Sequence, residues 1–205
     1  NEWRLKPIHK LIMMSATYRQ AFRGAADHKA IARHVERDPA NLLLWRREPR
    51  RLDAEAIRDN LLSVSGRLDP TMFGPGTLEQ DHPRRSVYLT VKRSRMIPWL
   101  QLFDAPDSLQ GIGQRQTTTT APQGLAMLNS PFADGCVVAL ASRLEARKLG
   151  GAEAYIREGF LLAVGREPSA EETELCRQLL RPGNMEAKRD FCQMLLCLNE
   201  FITIE

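Results

Sequence analysis

The sequence predicts a mainly α-helical fold with one short β element and a C-terminal antiparallel helical bundle. Three observations predict it. Apolar residues recur at helical spacing in several separate windows, and two capping boxes, Thr120 to Gln123 and Ser169 to Glu172, each open such a window. Only Val87, Leu89 and Val91 alternate with polar neighbours in the manner of a strand. The chain has 205 residues, 43% hydrophobic and 26% charged. That composition excludes disordered, collagen-like and disulfide-dense classes and suits one domain over residues 1–205. No run of about 18 apolar residues is present, so no transmembrane segment is expected. The chain opens Asn-Glu-Trp without a Met or signal stretch, and reads as the C-terminal part of a longer chain with any export signal upstream.

The first helix is expected from about Leu5 to Gln20, with Leu5, Ile8, Ile12 and Ala16 as its buried stripe. Pro7 lies in the first turn, where its missing N–H costs little. Beyond Phe22 the chain turns polar, and Leu42 to Trp45 reads as a short buried segment. Asp53 is expected as the N-cap of a helix through about Arg67, with Ala54, Ile57, Leu61, Val64 and Leu68 inward and Arg58 and Asp59 facing elsewhere. Loops follow at Asp69-Pro70, Phe73 to Gly76 and His82-Pro83, then the strand signal, then a turn at Asp104 to Asp107. The Thr120 box opens a helix to Asn129, and Pro131 opens another to about Lys148. In the last third, Ile156, Phe160, Ala163 and Val164 share a face, and Gly165 sits where a left-handed cap is expected. Leu175, Cys176, Leu179 and Leu180 line the next helix. After Pro182-Gly183, Phe191, Met194, Leu195 and Leu198 line the last.

Charge is uneven. Residues 1–95 hold 19 Lys/Arg against 11 Asp/Glu, and residues 96–205 hold 10 against 14. The domain therefore divides by composition into a basic helix/strand core (1–120) and an acidic helical bundle (121–205). A basic half points to an anionic partner, to Arg–carboxylate pairing within the fold, or to the Arg codon bias of a GC-rich genome.

No reaction is evident. Cys136, Cys176, Cys192 and Cys197 form neither a CxxC pair nor a haem-attachment motif, and a tertiary disulfide such as Cys176–Cys192 stays open. His9, His28, His34 and His82 form no ligand pair, so no metal site and no cofactor are expected in this segment. His9 lies on the first helix's apolar stripe, as a hydrogen-bonded core histidine would. The weak catalytic candidates are His9, Tyr18 and Arg19, while Ser15 reads as a helix-end cap. Asp53, Glu55 and Asp59 read as ion-pair partners of Arg50, Arg51 and Arg58. The binding candidates are Arg46, Arg47, Arg50, Arg51, Arg84 and Arg85, with Trp45 and Tyr88 adding stacking area. Lys92, Arg93, Arg95 and Trp99 continue the pattern, but no nucleic-acid-binding motif accompanies it and nucleic acid is the weaker partner.

Several blocks are family-like: Ile8 to Gln20, Asn41 to Trp45, Arg50 to Asp59 with Val64 to Asp69, Arg84 to Tyr88, Phe103 to Asp107, Thr119 to Leu125 with Leu128 to Phe132, Gly165 to Pro168 and Leu198 to Phe201. In this order they resemble the planctomycete-specific domain of unknown function 1553. The resemblance implies a C-terminal module of large exported bacterial proteins, with a companion domain just upstream. Many such proteins carry a cytochrome c-like domain, so haem c would lie in that separate domain, and the location would be periplasmic or cell-surface. The family supplies no catalytic residues to carry over, and a cysteine that many relatives have near Ile112 is missing here.

These readings converge on a non-catalytic interaction module that docks on its upstream companion domain or on an anionic surface polymer. The alternative is a site shared with that domain, for polysaccharide or redox-linked work, to which the His9–Arg19 helix and the Thr117–Gln123 loop would contribute polar groups.

Overall fold

The computed structural model describes residues 3–20, 28–106, 111–181 and 183–204, with the backbone alone at 28–30. Phe22, Asp107, Pro182 and the His28 side chain, all named above, lie outside that description. The chain divides into an N-terminal unit, Asn1–Arg50 with Thr203–Glu205, and a central unit, Arg51–Ile202. The short β element pairs β1 (Arg50–Arg51) with β2 (Thr203–Ile204).

In the N-terminal unit, α1 (Leu5–Met13) stops before the expected Gln20, because Ser15 turns the chain. Its hydroxyl donates to the Ile12 carbonyl at 2.7 Å and accepts from the Tyr18 N–H at 3.2 Å, as a helix-end cap does. None of the expected stripe is buried: Leu5, Ile8, Leu11 and Ile12 are all exposed, and so is His9. The core-histidine expectation is therefore corrected. Next comes α2 (His28–Arg37), which periodicity missed because Ile31 and Val35 are its only large apolar residues.

The central unit is built around α6 (Pro131–Ala146), which packs against α3 (Ala54–Ser65) and against α9 (Met185–Leu196). Ser130 caps α6 by accepting from the Ala133 N–H at 3.2 Å. Its Cys136, Val137, Leu140 and Leu144 meet Ile57, Leu61 and Leu62 of α3 and Phe191, Cys192 and Leu195 of α9 in one core. At one end Trp99, on α4 (Pro98–Leu102), stacks near Phe103 and Phe132 at 4.8 and 5.1 Å between ring centres. Trp99 is buried there, which removes it from any stacking face. The helix α5 (Ala121–Asn129) begins as expected, with the Gln123 side chain accepting from the Thr120 N–H at 3.1 Å. Among the described residues no single helix is long and apolar enough to cross a membrane.

The bundle comprises α7 (Ala152–Ala163), α8 (Ala170–Leu179) and α9, closed by the short α10 (Asn199–Ile202). Gly165 takes the left-handed conformation expected of it, φ +72°. Ser169 and Glu172 form the expected capping box at 3.1 and 2.7 Å. Leu175 faces solvent, whereas Cys176 and Leu180 are inward. The four cysteines are free thiols, and burial pushes Cys192 up to about 12. Arg166 forks onto both carboxylates of Glu172 and Glu200 at 2.7–3.0 Å, tying the start of α8 to α10.

Two expectations in the central unit are overturned by the adjacent residues Arg58 and Asp59. Arg58 does not face elsewhere: it is completely buried. Its guanidinium donates to the carbonyls of Gln80 and Arg84 at 2.9 Å each, to that of His82, and to the Ser86 hydroxyl at 3.2 Å. Asp59 accepts from the Ser86 N–H and hydroxyl at 2.7 Å each. These two α3 residues therefore turn the chain at Ser86. The expected strand becomes a 3-10 turn at Ser86–Tyr88 followed by a single bridge, Thr77 to Leu89, with Val87 and Val91 exposed. Local side-chain bonds have outcompeted a β ladder. Arg115 also pairs with Asp53 and Glu55, at 3.5 and 2.8 Å, a partner the sequence reading did not name.

Two predictions follow from these anchors. Arg58→Met keeps the packed stem but leaves the loop carbonyls without their donors, so urea unfolding should show a loss of about 3 kcal/mol. An unchanged midpoint would remove Arg58 as the organiser of that loop. The second concerns acid stability. Hydrogen bonding from Arg166 lowers the Glu172 carboxyl from 4.5 to about 2. Its contribution is complete above pH 4.5 and is lost as pH falls towards 2. Glu172→Gln should therefore be less stable at neutral pH and show a flatter decline in melting temperature across that window.

Candidate functional site

The N-terminal unit carries an open cleft of about 670 Å³ whose wall includes Tyr18, Gln20, Asn41, Leu42, Leu44, Arg46, Arg47 and Glu48. The turn from Asp38 to Arg47 shapes it. Asp38 is buried, and its carboxylate accepts from the Leu42 N–H at 2.9 Å and the Leu43 N–H at 2.7 Å. Asn41, also buried, closes the far side: its amide donates to the Arg46 carbonyl at 2.9 Å and accepts from the Arg46 N–H at 3.3 Å. The Trp45 indole donates to the Asp38 carbonyl at 3.1 Å, and the Gln20 amide to the Leu44 carbonyl at 2.9 Å. Such bonds hold Asn41 and Leu44 in the left-handed region, φ +54° at each, which a leucine adopts only at a cost of about 1–2 kcal/mol.

The consequence reverses the expectation of a buried segment. Leu42, Leu43 and Leu44 are 82%, 80% and 68% exposed. Buried polar side chains fix the backbone, and three leucines point outward. Beside them Trp45 stacks on His34 at 5.4 Å between ring centres, and the Arg46 guanidinium lies 5.0 Å from the Trp45 ring. Arg47 lies 5.9 Å from the ring of Tyr18. Residues 1–50 hold 11 Lys/Arg against 5 Asp/Glu, so the leucine tip sits in a basic unit.

The other candidates are dispersed. His9 and Arg19 are exposed and do not line the cleft. Arg50 is exposed on β1. Arg51 is engaged within the central unit, donating to the Phe103 carbonyl at 3.1 Å and to Asp104 at 2.7 Å. Arg84 is engaged likewise, donating to the carbonyls of Thr71, Phe73 and Pro75 with its guanidinium 3.6 Å from the Tyr88 ring. Arg85 is exposed and Tyr88 is half-buried. Sequence patterning marked all of these as one basic surface, and the structure separates loop-building arginines from outward ones.

The Thr117–Gln123 loop is organised by Asp104. That carboxylate accepts from the Thr118 N–H at 2.8 Å and hydroxyl at 2.9 Å, and from Arg51. Burial raises the Asp104 pKa, but these bonds and the Arg51 charge together bring it below the usual carboxylate value. The Gln123 amide donates to the Leu102 carbonyl at 2.9 Å. A smaller cleft of about 210 Å³ lies alongside, walled by Phe103, Thr119, Thr120, Gln123, Met127 and Cys197. Among the described residues no three His, Cys, Asp or Glu side chains converge as metal ligands would.

Residues 1–180 match the family described as PSD1, protein of unknown function (DUF1553). The chain belongs to this family. No curated protein and no solved structure matches it. In this DUF1553 chain the feature that sequence patterning misread is the leucine tip, and its signal was the flanking pair Asp38 and Asn41, turn-forming residues whose side chains bind nearby backbone.

Asp38→Ala removes both acceptors that hold the tip. Hydrogen exchange at the Leu42 and Leu43 amides should quicken about tenfold. Unchanged exchange would show that the tip does not depend on Asp38.

Proposed function

We propose that this domain is a non-catalytic docking module of an exported bacterial multidomain protein, and that its N-terminal unit seats on the companion domain just upstream in the same chain. The observation that carries the reading is apolar exposure. Leu5, Ile8, Leu11 and Ile12 of α1 and the Leu42–Leu44 tip are all turned to solvent in a unit whose backbone is otherwise held by specific polar bonds. Apolar side chains displayed in this number are the raw material of an interface. The leucines would form its dry centre, and Arg46 and Arg47 its charged margin, with Trp45 supplying area. Arg51 and Arg84 drop out of the binding set because they build loops.

Under this reading the module belongs, as its family resemblance suggests, to planctomycete proteins with a cytochrome c-like domain further upstream. Any haem c would be held there, and the protein would work in the periplasm or at the cell surface. An anionic surface polymer is the second partner class, contacting the same arginines. One observation favours the shared-site alternative: Tyr18, Arg46 and Arg47 wall a single open cleft. His9 and Arg19 do not line that cleft.

Expressing the chain and the companion domain as separate polypeptides tests the proposal by calorimetry. Binding should weaken at least about tenfold in the Leu42→Ser/Leu43→Ser/Leu44→Ser variant. Arg46→Ala/Arg47→Ala should chiefly reduce the salt dependence. Absence of binding at both low and high salt, or binding indifferent to the leucine changes, would sink the docking role.

A further inference from the structure

A second surface, wholly within the central unit, is built to hold apolar side chains out in solvent. Between Asp69 and Gly76 the chain makes a loop whose backbone is anchored from within. Arg84 donates to the Thr71 carbonyl at 3.4 Å, to the Pro75 carbonyl at 3.2 Å and to the Phe73 carbonyl. The Tyr88 hydroxyl accepts from the Phe73 N–H at 2.7 Å, and Asp69 accepts from the Thr71 N–H at 2.9 Å. With its N–H and carbonyl both engaged, Phe73 is held at φ +67°, a left-handed conformation unfavourable to any residue with a Cβ. Its side chain is nevertheless 78% exposed, and Met72 beside it is 65% exposed.

The loop is tied to the following segment where Thr77 bridges Leu89, with bonds of 3.0 and 2.7 Å on either side. That segment exposes Val87 and Val91 and then turns at Lys92–Arg95. Arg85, Lys92, Arg93 and Arg95 are all exposed, and no acidic residue occurs between His82 and Phe103. Val87 and Val91 thus project from a stretch without carboxylates, and residues 72–95 as a whole hold five Lys/Arg against the exposed Glu79 and Asp81, a basic excess.

We propose that the surface from Met72 to Arg95 is a membrane-contact site that seats on the headgroups of an anionic lipid bilayer. Charge complementarity selects an anionic partner. The form of the apolar part selects the bilayer: an aromatic side chain, a methionine and two valines that project need a medium they can enter, and acyl chains accept them without a shaped socket. A polysaccharide or nucleic acid would stack on Phe73 and engage the arginines, but offers Met72, Val87 and Val91 no apolar medium to enter. The exposed basic side chains would meet lipid phosphates while Phe73 and Met72 pass below them. This site is independent of the docking face in the N-terminal unit.

Flotation of the full chain with vesicles of phosphatidylcholine alone, and of phosphatidylcholine mixed with phosphatidylglycerol, tests it. The chain should float with the mixed vesicles and not with phosphatidylcholine alone, and binding should fall as salt rises. Phe73→Gly is the decisive variant, because glycine is at ease at this φ. It should melt no lower than the parent, yet bind the mixed vesicles about tenfold more weakly or worse. Arg93→Ala/Arg95→Ala should bind more weakly and with a shallower salt dependence. Soluble polyglutamate serves as an acidic polypeptide without acyl chains, and Phe73→Gly should leave any retention on it unchanged. The proposal is overturned if the parent ignores the mixed vesicles, if Phe73→Gly binds them equally well, or if that variant loses polyglutamate and vesicle binding to the same degree.

Discussion

The buried guanidinium of Arg58 is the constraint on which the central unit's loops depend. A charged group taken out of water must find acceptors, and here they are backbone carbonyls of the segment from Gln80 to Arg84 together with the Ser86 hydroxyl. Burial pulls the Arg58 pKa down, opposed by the nearby charges of Asp59 and Asp81. A helix residue thereby dictates a loop some 25 positions later. Once that loop is fixed, Arg84 leaves it in position to gather the carbonyls of Thr71, Phe73 and Pro75. One arginine organises the second, and the second organises the exposed tip at Phe73.

Much of the fold was legible in local chemistry. The capping residues Thr120 and Ser169 start their helices, and the faces carrying Ile57 and Leu61, Ile156 and Phe160, and Phe191 and Leu195 are those that meet in the core. Such signals survive because capping and apolar periodicity are read within a few residues of one another. Arg58 was illegible for the opposite reason. Its position on the helix says that it lies beside the apolar stripe, and only the distant carbonyls decide whether it is solvated or enclosed. The alternation at Val87–Val91 failed similarly: a period of two describes a strand only when a neighbouring strand is available, and Asp59 had already claimed Ser86.

The candidate site was legible in residue type and not in role. Arg46 lies against Trp45 as the basic-aromatic pattern suggested, while the approach of Arg47 to Tyr18 was not part of that pattern. Arg51 and Arg84 carry the same charge and occur in the same kind of run, yet both are enclosed by carbonyl and carboxylate partners. An arginine flanked by glycine, proline and aspartate turns is as well suited to closing a loop as to reaching outward, since five donors in one plane suit several carbonyls at once.

The apolar stripes of α1 and α3 have the same period and opposite fates, one exposed and the other buried. Periodicity states that a face seeks cover and is silent on what covers it. The Leu42–Leu44 tip separates an accidental exposure from a specified one. A loop whose leucines merely lacked a partner would be free to fold them back, whereas Asp38 and Asn41 are buried to prevent that, and Leu44 is held in a backbone conformation that leucine resists. Strain maintained by buried hydrogen bonds is stable only when the surroundings over-determine it. The polar side chains under the tip thus specify its display, because they convert three hydrophobic residues from core material into exposed surface.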